Sequence, residues 1–109
     1  MEVLDWDGTA ELLRATTGWD LTGEDVRRIG ERIVNLERLF IAREGITRQD
    51  DTLPKRFLEE PMPEGSGPSV GSVVELEPML DEYYRARGWD IETGLPTRNK
   101  LNELGLVAP

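Results

Sequence analysis

Apolar residues recur at spacings of three and four through one long stretch of this chain. Val26, Ile29, Ile33, Leu36 and Phe40 fall on one face of a helix. Thr22 suits the N-cap, with Asp25 three residues on and Glu24 beside it at the positive end of the helix dipole. Gly45 suits the left-handed position past the last turn. The pattern predicts a helix from about Thr22 to Gly45, with its apolar face packed as the core of a small helical unit. Gly30 lies inside it and costs about 1 kcal/mol relative to Ala. A close approach by another helix, at Leu80–Tyr84, is the expected reason.

Shorter patterns predict three more helices. Thr9 is the expected cap of a helix from Ala10 to about Thr17. Glu77-Pro78 opens another, with Leu80, Tyr83, Tyr84 and the stem of Arg87 on its inner side. Thr97 caps a last one through Leu104. Asp51 or Thr52 could cap a single turn around Pro54. Residues 59–72 gather Pro61, Pro63, Gly65, Gly67, Pro68 and Gly71, which predicts a loop or mobile linker. Val73 and Val74 are too short a run for a sheet.

Four predicted helix ends share one device, a Gly followed by an apolar residue: Gly18-Trp19, Gly45-Ile46, Gly88-Trp89 and Gly105-Leu106. In a Schellman ending the residue after the Gly folds back on the last turn. That pairs Trp19 with Leu13, Ile46 with Ile41, Trp89 with Tyr84 or Tyr83, and Leu106 with Leu101. The likeness of Thr17-Gly-Trp-Asp-Leu-Thr-Gly23 to Arg87-Gly-Trp-Asp-Ile-Glu-Thr-Gly94 reads as shared capping chemistry rather than duplication. The expected architecture is all-α, a small irregular bundle of four main helices with a long Gly/Pro-rich loop. Residues 1–8 form a lead-in and residues 9–109 the helical domain.

Composition narrows the function. The chain has 109 residues, 38% hydrophobic and 32% charged, enough for one small domain. Its formal net charge is −9, from 22 acidic and 13 basic residues. Nucleic acid is not an expected partner, because phosphate binding needs a cationic footprint. The balance is −6 over residues 1–25, +3 over 26–58 and −6 over 59–109. The middle arginines are therefore expected to meet acids of this chain or of a larger body.

The sequence has no Cys and no His. That removes disulfides, thiolate ligands, Ser-His and Cys-His catalysis and the usual zinc sites. No apolar run approaches the roughly 20 residues of a membrane span, and no signal peptide is visible, so a cytoplasmic location is expected.

Candidate chemistry is sparse. Asp50-Asp51 and Glu59-Glu60 are adjacent carboxylates that could bind a hard cation, but they lack calcium-loop spacing and suit caps and solvated charge. Arg38, Arg43, Arg48 and Arg56 surround Asp50-Asp51 in sequence. Ion pairs from Arg43 to Asp50 or Asp51 would tie this loop to the end of the long helix. A phosphate cradle is the sharper alternative, though no Gly-rich phosphate loop precedes a helix. Tyr83, Tyr84 and Trp89 read as core aromatics before a ligand patch. No residue is singled out as catalytic, cofactor-binding or metal-ligating.

A family resemblance adds to this. Gly30-Glu-Arg-Ile-Val-Asn-Leu-Glu-Arg-Leu-Phe40 and Arg43-Glu-Gly-Ile-Thr-Arg-Gln-Asp-Asp-Thr-Leu-Pro-Lys-Arg56 resemble the C-terminal region of the tungsten-containing aldehyde ferredoxin oxidoreductases. So do Ala15-Thr-Thr-Gly-Trp19, Tyr83-Tyr-Arg-Ala-Arg-Gly-Trp89, Gly94-Leu-Pro-Thr97 and Leu101 to Leu106. Ile41-Ala42 departs from the Asn expected after Phe40. The resemblance implies a larger parent that oxidises aldehydes to carboxylic acids and passes electrons to ferredoxin. It also implies a tungsten bis-pterin and a 4Fe-4S cluster, held by Cys motifs absent from this sequence. No family ligand carries onto any residue here. The chain is expected to be a scaffold piece that begins just downstream of the pterin motif, inactive and colourless alone, with the remainder of the parent as partner and self-association through its bared interface. The alternatives are a stand-alone helical interaction module and an enzyme using Asp50 and Asp51 with a metal.

Overall fold

Thr22 and Asp25 cap the long helix as the sequence predicts: Thr22 Oγ1 accepts from the Asp25 N–H at 3.1 Å, and Asp25 Oδ2 accepts from the Thr22 N–H at 2.9 Å. The computed structural model describes residues 4–107. Within them lie α1 (Trp6–Thr17), α2 (Gly23–Arg43), α3 (Lys55–Glu59), α4 (Leu76–Arg87) and α5 (Arg98–Glu103), with 3-10 turns at Arg48–Asp50 and Gly67–Ser69. No strand forms among the described residues, so the fold is all-α. The expected main helices are α1, α2, α4 and α5, and α3 is the turn after Pro54. No helix is long and apolar enough to cross a membrane among the described residues.

The chain divides into two units, one of Met1–Phe40 with Arg98–Pro109 and one of Ile41–Thr97. In the first, α1 starts earlier than expected. Asp5, not Thr9, is the N-cap; its Oδ1 accepts from the Gly8 N–H at 2.7 Å. Residues 1–3 of the expected lead-in lie outside the described residues. Ala10, Leu101 and Leu104 are buried, and so are Asn35 and Arg38 of α2. Glu31 of α2 meets Lys100 of α5 at 2.7 Å, and Arg28 donates to the Glu103 carbonyl at 2.9 Å. The inner face of α2 is thus largely polar.

Two expectations for α2 are overturned. Its apolar face does not form the core of this chain: Ile29, Ile33, Leu36 and Phe40 are 43%, 52%, 56% and 63% exposed. Nor does another backbone approach Gly30, where an added Cβ would meet nothing within 4 Å. The close approach is at Gly23, where a Cβ would stand 2.1 Å from Asp7 Oδ1.

The second unit is built around Tyr84 and Trp89, 1% and 6% exposed. Their ring centroids lie 6.1 Å apart, and Tyr83 packs edge-on to Trp89 at 5.7 Å. Tyr83 itself is half-exposed rather than on the inner side. After Trp89, Asp90 Oδ1 accepts from the Thr93 N–H at 2.9 Å and its N–H donates to the Leu95 carbonyl at 2.8 Å, making a tight turn. Residues 59–72 form a loop closed at its neck. Met62 N–H donates to the Ser72 carbonyl and Gly71 N–H to the Met62 carbonyl, both at 3.0 Å, while Val74 N–H donates to the Phe57 carbonyl at 2.9 Å.

Three of the four predicted helix ends are Schellman motifs. Ile46, Trp89 and Leu106 donate to the carbonyls of Ile41, Tyr84 and Leu101 at 3.1, 2.8 and 2.8 Å. The fourth is not. Gly18 N–H donates to the Arg14 carbonyl at 2.9 Å, the single bond of an αL ending, and Trp19 turns out to solvent.

Candidate functional site

Two places concentrate functional potential, a polar cluster in the second unit and an apolar face in the first. The polar cluster centres on Arg48. Thr47 starts a 3-10 turn by a reciprocal capping box with Asp50: Asp50 Oδ2 accepts from the Thr47 N–H at 2.9 Å. That turn, together with a bond from the Arg48 N–H to the Thr93 carbonyl at 2.9 Å, aims Arg48 at α4. Its guanidinium donates to Glu77 at 2.6 Å, to Asp81 at 2.7 Å and to the Ile91 carbonyl at 2.6 Å. It also lies 5.3 Å from the centre of the Tyr84 ring. The Glu77 and Asp81 bonds raise the Arg48 pKa further above its ordinary range, Glu77 contributing most. The Tyr84 phenol donates to Asp51.

The adjacent carboxylates therefore serve different ends. Asp50 caps, and Asp51 receives a buried tyrosine. Arg43 makes no ion pair with either among the described residues, and it is Arg48 that ties this loop to α4. Arg56 is exposed and reaches only Glu60, at 3.7 Å. Arg38 is buried. With its guanidinium already shared among two acids and two carbonyls, Arg48 is no anion cradle. Among the described residues no buried side-chain nitrogen or oxygen lacks a hydrogen-bond partner, and no group of three or more His, Cys, Asp or Glu could hold a metal ion. The cluster fastens the loop to α4.

The Thr47–Asp50 box rests on a local Thr-x-x-acid spacing. The Arg48–Asp81 pair joins residues 33 apart in sequence, and no local pattern announces it.

The apolar face is the stripe of Ile29, Ile33, Leu36 and Phe40 on α2. On α1, Trp6 and Leu12 are also exposed, and Ala10 is its only buried residue. In the second unit Phe57, Met62 and Val73 line an open cleft of about 760 Å³, with Arg56 and Glu60 among its walls. Monomeric proteins seldom leave contiguous large apolar side chains in water.

The model of a family described as aldehyde ferredoxin oxidoreductase, domains 2 and 3, matches residues 1–106. The tungsten-containing aldehyde ferredoxin oxidoreductase of Pyrococcus furiosus is 54% identical over 102 residues, which cover 93% of this chain and 16% of that protein. The enzyme of the same name from Thermococcus kodakarensis is 52% identical over the same shares. The chain thus spans 16% of the length of these relatives. Among solved structures, the active site complex BamBC of benzoyl coenzyme A reductase, in complex with 1,5-dienoyl-CoA, aligns with a TM-score of 0.70 over 93% of this chain and 14% of that chain. At 24% identity this is a likeness of fold.

Proposed function

The chain belongs to the aldehyde ferredoxin oxidoreductase family, and we propose that it serves there as a C-terminal scaffold domain backing the cofactor-bearing part. The observation that carries this is the closed state of its polar chemistry. Arg48, Asp51 and Tyr84 are engaged with one another and with α4, and among the described residues no buried side-chain nitrogen or oxygen is left without a partner.

Its relatives are tungsten-containing enzymes by name. On this reading the whole enzyme works in the cytoplasm, oxidises an aldehyde to a carboxylic acid and delivers electrons to ferredoxin. It uses a tungsten bis-pterin and a 4Fe-4S cluster. This chain does not fit as the holder of the cluster: a 4Fe-4S cluster needs thiolates, and the sequence has no Cys. The remainder of the enzyme is then the partner, and the isolated chain self-associates through the surface it leaves bare.

The test is metal analysis and absorption spectroscopy on the purified chain, beside aldehyde oxidation by the whole enzyme. The chain alone should carry no tungsten, absorb no visible light and turn over no aldehyde. Stoichiometric tungsten on it would end the scaffold reading. The exposed apolar surface also favours a second reading, a stand-alone helical interaction module. A whole enzyme that keeps its activity and stability with this segment deleted would select it.

A further inference from the structure

The helix α2 is inverted. Its inner face holds Asn35 at 0% and Arg38 at 7% exposure, with the Glu31 side chain at 11%. Its outer face holds Ile29, Ile33, Leu36 and Phe40, the least exposed of them at 43%. A water-facing helix puts its apolar stripe inward. An apolar stripe outside and a satisfied polar face inside describe a helix that is central to a larger body.

We infer that this stripe is the seam on which the rest of the enzyme closes, and that the occupant is an apolar helix face from another part of that enzyme. The inference rests on the scaffold reading above. The stripe is roughly 17 Å long at 1.5 Å per residue. Spacings of three and four make a ridge that fits the groove of a second helix. Its rims differ in charge. Helical geometry places Arg32 on one side and Glu37 on the other, both exposed and neither in an ion pair within the described residues. The fitting partner therefore carries an acid opposite Arg32 and a base opposite Glu37. Material for it is plentiful, since the region matched by this chain covers only 16% of each relative.

The test is hydroxyl-radical footprinting read residue by residue by mass spectrometry, on the 109-residue chain at low and high concentration and on the whole enzyme that contains it. Leu36 and Phe40 should be modified in the dilute chain and lose that modification in the whole enzyme. Equal modification in both overturns the inference. So does protection that appears in the concentrated chain alone, which makes a second copy the occupant. Tungsten content and aldehyde oxidation are measured on the same enzyme preparation. Loss of protection with activity intact sinks the seam and spares the scaffold reading; a preparation without tungsten or turnover sinks both.

Discussion

The tripeptide Gly-Trp-Asp occurs twice, at Gly18–Asp20 and Gly88–Asp90, and the two copies end their helices differently. After α4, Trp89 N–H reaches back to the Tyr84 carbonyl at 2.8 Å, and the indole is buried against Tyr83 and Tyr84. After α1, Trp19 N–H is taken at 3.1 Å by Thr17 Oγ1, and the Arg14 carbonyl is already occupied by Gly18. Trp19 is 64% exposed, against 6% for Trp89. The residue before the glycine differs: Thr17 carries a hydroxyl that competes for the backbone, and Arg87 carries none. The aspartates differ too. Asp90 caps the turn that follows, whereas Asp20 accepts no hydrogen bond among the described residues. A shared motif therefore supplies the left-handed glycine in both places, while its neighbours decide whether the tryptophan is core or surface.

The largest expected contrast lies between the two indoles. Trp89→Ala should cost about 3–5 kcal/mol, whereas Trp19→Ala in this chain should stay within about 0.5 kcal/mol. Urea unfolding of both variants checks this, and equal costs would mean that Trp19 is packed. Tyr84→Phe comes next. Removing the phenol that Asp51 accepts should cost about 1–2 kcal/mol, read from the same unfolding midpoint with an unchanged slope.

The third test uses pH. The Thr93 N–H, the foremost cause, and the Thr93 hydroxyl hold the Asp90 carboxyl below the ordinary carboxylate range. A carboxyl lowered in the folded state binds fewer protons there than when unfolded. Its stabilisation is thus present above the ordinary range and is lost as pH falls through the lowered value. Asp90→Asn should flatten the acid limb of the stability curve, read by urea unfolding at a series of pH values. The smallest effect belongs to Thr17→Ala, within about 0.5 kcal/mol. It should free the Trp19 N–H to bond the Arg14 carbonyl, detectable by NMR coupling across the new hydrogen bond. Persistence of the αL ending would show that tertiary packing, not Thr17, sets it.

Helix identity was legible because it is local. The Thr22–Asp25 box, the three Schellman ends and the spacing of Ile29, Ile33, Leu36 and Phe40 all lie within a few residues of one another. The early start of α1 is equally local, because Asp5 caps it through the Gly8 N–H three residues on. What could not be read was which partner each face meets. Arg43 and Arg48 both precede Asp51 in an arginine-rich stretch, and only the approach of α4 selects Arg48, through Asp81 and Glu77.

By itself, the sequence determined the all-α class, the glycine-marked helix ends, the apolar stripe on α2 and the absence of thiolate chemistry. Each follows from backbone hydrogen bonding, from side-chain period or from residue type. The tertiary structure alone decided that α2 turns its polar face inward, that Gly23 rather than Gly30 is the site of close approach and that Arg48 holds the loop. Periodicity marks an apolar face but carries no information on what covers it. Burial is a property of the surroundings, and among the described residues the stripe of α2 stays 43–63% exposed.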